Sequence, residues 1–259
     1  MITAGIDAGM ETTKAVILKE NGESDWVISR RGNESTIEAA QSVLDEVARK
    51  GKISVKDIDY IVATGMGREY ITFASRELQE FICLAKGIDS LLPSTRILID
   101  LGARKSLAMR CNGGRVLKTA MSGKCAAGTG AYLEMVSNVL SVNIHDIDKL
   151  FFESKEDLEI LSNCVVFAES EIISLVHSGV KTEDIVRGVF RGLAGRAYSQ
   201  FLELGIEKDI TLVGGVANSK AMITALEEKL GFDILVPENP GIIAALGAAI
   251  IAQEARSVT

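Results

Sequence analysis

The sequence has little of several features that mark common classes of protein. Its 259 residues include three prolines and four cysteines, and aromatic residues make up 5% of the chain. The cysteines are widely scattered in a chain long enough to need no covalent staples, so we expect no disulfides and a reducing, cytoplasmic environment. No low-complexity segment interrupts the chain.

Charge and hydropathy argue against two kinds of partner. The net charge is −7, and acidic and basic residues are mixed without a basic stripe, so nucleic acid is not an expected partner. The longest apolar stretch, residues 241–252, is too short to span a bilayer, and the first residues lack the features of a signal peptide. With 47% hydrophobic residues, the chain can instead bury a core large enough for two domains.

Two of the cysteines precede predicted helices. Cys125 stands in KCAAGTG (residues 124–130) and Cys164 in NCVVFAE (residues 163–169), each before an apolar pattern with helical spacing. A helix N-terminus stabilises a thiolate, and also an anionic cluster beside it. One chain offers two such thiolates, whereas a four-iron cluster needs four. Two interpretations remain: the cysteines supply half of a cluster shared with a second chain, or they are ordinary small residues in a Gly/Ala-rich packing zone.

A strand–turn–strand pattern opens the chain. Apolar residues 2–6 run into the polar segment from Asp7 to Lys14, and a second apolar strand follows. The backbone N–H groups of such a hairpin can surround a phosphate, and Asp7 can reach a magnesium ion through water. The segment is not a P-loop because no helix follows it directly. An ordinary hairpin turn is the alternative interpretation.

The same pattern returns after residue 95. After Arg96, the apolar residues 97–99 run into Asp100 and Gly102, as the first strand runs into Asp7 and Gly9, and another hairpin follows. This internal duplication predicts two similar lobes, residues 1–95 and 96–259. We expect Asp7 and Asp100 to face one another across a nucleotide cleft between these lobes.

A third glycine-rich feature lies near the end of the chain. Gly214 and Gly215 follow the apolar residues 210–213 and precede a predicted helix over residues 221–230. Glycines here allow a flat group such as adenine or ribose to approach closely. A final helix beginning near Pro240 has small residues on every face, as a helix that crosses closely between lobes would need.

These motifs together resemble the actin / sugar kinase / Hsp70 ATPase superfamily. The resemblance implies an α/β fold with two duplicated actin-like, ribonuclease H-like lobes. The two stretches that contain Cys125 and Cys164 narrow the resemblance to one branch of this superfamily. They look like those of the activators of 2-hydroxyacyl-CoA dehydratases and the related ATPase subunits of benzoyl-CoA reductase.

The resemblance also implies a function. Such proteins are oxygen-sensitive ATPases in which two subunits, identical or homologous, share one [4Fe–4S] cluster and drive a low-potential electron into an enzyme that acts on a CoA thioester. Carried over by position, Asp7 and Asp100 match the catalytic, magnesium-binding aspartates, and Cys125 and Cys164 match the cluster ligands. The other expected ATP contacts are Gly9, Thr12, Thr13 and Lys14 in the first hairpin, Gly102 in the second, and Gly214 and Gly215 in the adenosine turn.

The chain departs from that family pattern in one motif. Activators usually continue the second hairpin as Asp-x-Gly-Gly-Gln-Asp, whereas Gly102 is followed here by Ala103, Arg104 and Lys105. The Gln-Asp pair of the activators, which could orient water or metal, is replaced here by two cations, and this puts ATP hydrolysis at the site in question. The change also makes the chain look more like the smaller ATPase subunit of benzoyl-CoA reductase than like a homodimeric activator. Two other functions stay open: a small-molecule kinase of the same fold without a cluster, and a non-hydrolysing ATPase-like subunit of a heteromeric reductase.

We interpret Cys83 and Cys111 as structural.

Overall fold

The computed structural model describes residues 1–121, 128–156, 158, 160 and 165–257. The chain divides into two compact units. The first comprises Met1–Thr95, Cys111–Leu117 and Pro237–Thr259, and the second comprises Arg96–Arg110 and Lys118–Val236. Among the described residues, no helix has both the length and the apolar character that crossing a membrane requires.

The first unit is built on a five-stranded sheet. Its strands are β1 (Ile2–Ala8), β2 (Thr12–Lys19), β3 (Ser24–Arg30), β4 (Tyr60–Thr64) and β5 (Arg76–Glu77), in the order β3-β2-β1-β4-β5. Strands β1, β2 and β3 are antiparallel neighbours, whereas β4 runs parallel to β1 and β5 parallel to β4. The helices of this unit are α1 (Thr36–Lys50), α2 (Glu80–Leu91) and α8 (Ile243–Ser257). The strand–turn–strand predicted at the start of the chain and the final helix predicted from near Pro240 are therefore both present.

Helix α1 covers one face of this sheet. A reciprocal capping box between Ser35 and Glu38 starts the helix, and its apolar side packs with Ile6 and Ile17 of the strands. The residues of α1 buried in that cluster are Ala40, Val43, Leu44, Val47 and Ala48. Burying a Val or Leu side chain contributes roughly 1.5–3 kcal/mol, so this face anchors the strands that carry Asp7 and Thr64.

Helix α8 covers the alternate strand residues, such as Val16 and Val62. A Cβ atom at Gly5 would lie 2.0 Å from the Ala245 carbonyl oxygen, and one at Gly247 would lie 1.8 Å from the Cys83 carbonyl oxygen. The small residues of α8 thus let it approach both β1 and α2 at backbone distance. We predicted residues 237–259 as part of the second lobe, but this packing groups them with the first unit.

The second unit holds most of a second sheet, which repeats this strand order. Strands β6 (Ile97–Leu101), β7 (Ser106–Asn112), β8 (Arg115–Met121) and β9 (Ile210–Val213) lie in the order β8-β7-β6-β9, with β7 antiparallel and β9 parallel to β6. The helices are α3 (Thr129–Val139), α4 (Ile147–Glu153), α5 (Val165–His177), α6 (Thr182–Leu204) and α7 (Lys220–Leu230). Their buried residues, among them Tyr132, Phe151 and Phe190, form one large core with β6 and β9.

Candidate functional site

The Asp7 hairpin is closed by one backbone bond and one ion pair. The N–H of Gly9 donates to the Thr12 carbonyl at 3.0 Å, which forms the turn between β1 and β2. Antiparallel register places Lys14 opposite Asp7. The Lys14 ammonium lies 2.7 Å from Asp7 Oδ2, and the Asp7 side chain is 4% exposed.

Two polar atoms of this hairpin are buried without a partner. Among the described residues, neither Asp7 Oδ1 nor Thr13 Oγ1 has a hydrogen-bond partner, and Thr13 is fully buried. An unsatisfied buried polar atom costs about 1–3 kcal/mol, so such atoms need an explanation. A ligand that supplies donors or a cation at this hairpin would remove the cost.

The Asp100 hairpin repeats the same backbone. Its turn is closed by the N–H of Gly102, which donates to the Lys105 carbonyl at 3.0 Å, at the positions that match Gly9 and Thr12. Asp100 is buried, with 7% of its surface exposed. The residue opposite Asp100 is Leu107, so this hairpin has no counterpart of Lys14 in its strand.

A glycine turn lies beside each aspartate. Gly214 follows the β9 residue paired with Asp100, has a φ of +89°, and a Cβ atom there would lie 2.4 Å from Asp100 Oδ1. Gly65 follows the β4 residue paired with Asp7, has a φ of +88°, and a Cβ atom there would lie 2.4 Å from Asp7 Oδ1. Only glycine adopts this conformation with no side chain against the carboxylate.

Sequence reasoning found the turn at Gly214 and missed the one at Gly65. Both turns continue with the same pair of backbone hydrogen bonds. In the first unit, the N–H of residue 68 donates to the carbonyl of residue 65, and the N–H of residue 70 donates to that of residue 67. In the second unit, the N–H groups of residues 217 and 219 donate in the same way to the carbonyls of residues 214 and 216. The signal was present, because Gly65-Met66-Gly67 also follows a buried strand. It is the parallel pairing of β4 with β1 that shows which aspartate this turn serves.

The surface at Gly215 is bare. Among the described residues, a Cβ atom added there would meet nothing within 4 Å. Ser219 then caps α7 through the Met222 amide, and Asp148 accepts hydrogen bonds from Ser219 Oγ at 2.6 Å and from the Lys220 amide at 2.7 Å. The contacts with Asp148 therefore hold the end of this turn, while the surface at Gly215 stays open to a flat group.

The cysteines fall into two classes. Cys125 and Cys164 lie outside the described residues, and helices α3 and α5 begin shortly after them, as predicted. Cys83 and Cys111 are buried and lie outside any disulfide among the described residues, and burial raises the pKa of Cys83 to about 12. Such a thiol is neutral at physiological pH and unsuited to bind metal. Within the part of the chain that the structure describes, no group of three or more His, Cys, Asp or Glu side chains is placed to hold a metal ion.

The predicted site residues thus form two groups. The first unit brings Asp7, Gly9, Thr12, Thr13 and Lys14 into one hairpin. The second brings Asp100, Gly102, Gly214 and Gly215 to the ends of β6 and β9.

Comparisons of sequence agree with the resemblance read from the motifs. Residues 4–252 match the sequence model of the BadF/BadG/BcrA/BcrD ATPase family. The chain is 38% identical over 257 residues to the activator of lactoyl-CoA dehydratase from Anaerotignum propionicum, covering 98% of each chain. It is 36% identical over 254 residues to the 2-hydroxyisocaproyl-CoA dehydratase activator from Clostridioides difficile, covering 97% of this chain and 95% of the relative.

Comparison of structures confirms the predicted fold class. The activator of the 2-hydroxyisocaproyl-CoA dehydratase from Clostridium difficile, solved with bound ADPNP, matches with a TM-score of 0.92 at 32% identity, covering 100% of this chain and 98% of that chain. A benzoyl-CoA reductase component from Thauera aromatica is more distant in sequence, at 27% identity over 88% of this chain and 83% of the relative. The likeness is therefore greater to the dehydratase activators, contrary to the expectation from Arg104 and Lys105.

Proposed function

This chain belongs to the BadF/BadG/BcrA/BcrD ATPase family, and from that premise we propose that it is an ATP-dependent activator of a CoA-thioester dehydratase or reductase. ATP hydrolysis would be coupled to transfer of a low-potential electron into that partner enzyme. Relatives that match almost the whole chain are named activators of 2-hydroxyacyl-CoA dehydratases, which supports the activator role.

The single observation that carries the proposal of nucleotide binding is the buried Asp7 Oδ1, which, like Thr13 Oγ1 in the same hairpin, has no hydrogen-bond partner among the described residues. Both atoms suit a hydrated magnesium ion and the phosphates it accompanies, because carboxylate, hydroxyl and water oxygens are the ligands that Mg²⁺ prefers. Lys14 adds a cation next to Asp7, which suits a phosphate oxygen. The donor set of this hairpin therefore fits Mg-ATP.

We assign the remaining nucleotide contacts by their geometry. Asp7 and Asp100 would hold magnesium, and the turns at Gly9 and Gly102 would offer backbone N–H groups to phosphates. Thr12, Thr13 and Lys14 complete the phosphate contacts of the first hairpin. The turn at Gly214 and Gly215 would receive the adenosine: Gly214 lies against Asp100, and a Cβ atom at Gly215 would enter space that no described residue fills.

We infer that Cys125 and Cys164 bind a [4Fe–4S] cluster. The chain has four cysteines, and two of them, Cys83 and Cys111, are buried thiols unsuited to the task. Two thiolates remain, which is half of the set that a four-cysteine cluster requires. A second subunit, identical or homologous, would supply the other half. When bound, the cluster would supply one low-potential electron per transfer, and an external reductant would have to replace that electron.

One feature keeps a second candidate function open. Arg104 and Lys105 occupy the turn in which activators usually carry a Gln-Asp pair, and two cations do not accept a proton from water or bind Mg²⁺. A non-hydrolysing ATPase-like subunit of a heteromeric reductase would fit that turn. Measuring ATP hydrolysis by the isolated chain and by the chain assembled with its partner distinguishes a hydrolysing activator from this non-hydrolysing subunit.

The deciding experiment is anaerobic purification with iron, sulfide and mass measured together. We expect a brown protein with about four iron and four sulfide per pair of chains. Cys125→Ser and Cys164→Ser should each lose the iron, whereas the control Cys111→Ser should keep it. A colourless wild-type protein that releases ADP only when a sugar or organic acid is added would contradict the activator and support a kinase.

A further inference from the structure

The first turn of α3 rests on the turn of the Asp100 hairpin. The N–H of Gly130 donates to the Gly102 carbonyl at 3.2 Å, and the N–H of Ala131 donates to the Ala103 carbonyl at 2.8 Å. The N-terminal amides of a helix have no partners within the helix and usually bond to a capping side chain. The cap residue of α3, Gly128, has no side chain to serve, so two of these amides use the hairpin turn instead.

Two glycines make this contact sterically possible. A Cβ atom on Gly128 would lie 2.3 Å from backbone atoms of Arg104 and Lys105, and one on Gly130 would lie 2.9 Å from the Ala103 Cα atom. Gly128 has a φ of −55° and a ψ of 158°, which any residue adopts. Space, rather than backbone freedom, therefore requires glycine here. This gives a physical reason for the Gly-x-Gly that ends the Cys125 motif.

The rest of α3 is firmly held. Tyr132, Leu133 and Val136 are buried in the large core of the second unit, and the guanidinium of Arg196 lies 4.4 Å from the centre of the Tyr132 ring. A displacement of the hairpin turn therefore acts on a helix start that is bonded to it and backed by a rigid helix. Cys125 precedes Gly128 by only three residues in the sequence.

We propose that this contact transmits nucleotide occupancy of the Asp100 hairpin to the segment that carries Cys125, with Gly128 and Gly130 as positioning residues. The inference rests on the proposed function, because it requires that nucleotide bind at this hairpin. Bound phosphate would draw on the backbone N–H groups of the turn, whose carbonyls hold the start of α3. By linkage, if nucleotide favours the bonded form of this contact by some factor, the bonded form favours nucleotide binding by the same factor.

Hydrogen–deuterium exchange of the full chain tests the proposal without needing a cluster. We expect saturating magnesium and ADPNP to slow exchange of the Gly130 and Ala131 amides by about fivefold or more in the wild type. In Gly130→Ala the difference should fall below about twofold, because the added methyl group separates the turn from the helix. Gly241→Ala is the matched control: its Cβ atom would meet only the end of the Ile28 side chain, at 3.3 Å.

Each outcome decides the question. Calorimetry on the same samples shows whether ADPNP binds. Binding without any change at the start of α3 would overturn the proposal and leave the nucleotide site standing, whereas absence of binding would overturn both. A wild-type response retained by Gly130→Ala would also overturn it. If Gly130→Ala does not fold, the wild-type comparison with and without ADPNP decides by itself.

Discussion

The turn at Gly65 is the site feature most open to a quantitative test, since the chain supplies its own control. Gly65 and Gly22 have φ values of +88° and +83°, but a Cβ atom on Gly65 would lie 2.4 Å from Asp7 Oδ1, whereas no described atom lies within 4 Å of one on Gly22. Alanine at either position incurs left-handed backbone strain of about 1–2 kcal/mol. Only Gly65→Ala adds a steric clash.

The clash sets the size of the expected difference. Besides Asp7 Oδ1, the new methyl group would lie 2.6 Å from the Ala8 carbonyl oxygen, so both the carboxylate and the strand end must shift. Overpacking of this kind typically costs about 1–3 kcal/mol. We therefore expect Gly65→Ala to lose about 2–5 kcal/mol of unfolding free energy, against about 1–2 kcal/mol for Gly22→Ala, measured by urea denaturation.

The ligand-bound arm of the experiment tests function. At one hundred times its dissociation constant, magnesium with ADPNP should stabilise the wild type and Gly22→Ala by about 2.7 kcal/mol. Gly65→Ala should gain much less, because its Asp7 carboxylate has moved. Equal denaturation midpoints for the two variants, together with equal stabilisation by nucleotide, would refute the assignment of this turn to the Asp7 site.

Single residues and contacts support three more predictions. Removing one partner of the largely buried ion pair, as in Asp7→Asn, should destabilise the free protein by about 3 kcal/mol, and adding Lys14→Met should recover most of that in a double-mutant cycle while ATP hydrolysis stays abolished. Burial raises the pKa of the Cys83 thiol from 9.0 to about 12, so its contribution to stability is complete below pH 9.0 and declines as the pH rises toward 12. Followed by urea denaturation, the alkaline decline should be smaller in Cys83→Ala than in the wild type, and an equal decline there would contradict the assignment. Replacing Arg104 with Gln and Lys105 with Asp should raise ATP turnover about tenfold or more in a phosphate-release assay, because a carboxylate can orient water where two cations cannot; unchanged turnover would show that the cationic pair does not limit hydrolysis.

Local patterns were sufficient to predict much of the fold. Apolar runs located the strands, their helical spacing located α3, α5 and α7, and the repeated strand-Asp-x-Gly pattern revealed the duplication that both sheets show. Each of these depends on residues close together in the sequence. Periodicity reports such local structure directly.

What the sequence did not reveal depends on contacts between distant segments. The role of Gly65 follows from the parallel pairing of β4 with β1, and the return of α8 to the first unit follows from backbone contacts at Gly5 and Gly247. The space requirement at Gly128 likewise appears only once α3 lies on the turn of another hairpin. A glycine in a sequence does not show whether it provides conformational freedom or room for a neighbour.

The two hairpins share a backbone but differ in where they carry positive charge. In the first, Lys14 lies in the strand and pairs with Asp7, and the turn holds Met10 and Glu11. In the second, buried Leu107 takes the place of Lys14, and both cations, Arg104 and Lys105, lie in or beside the turn. If both hairpins bind phosphate as proposed, phosphate at the first acts mainly on a strand residue held by its neighbours. Phosphate at the second acts on the turn whose carbonyls hold the start of α3, so we expect the second hairpin to be the one through which nucleotide affects the Cys125 segment.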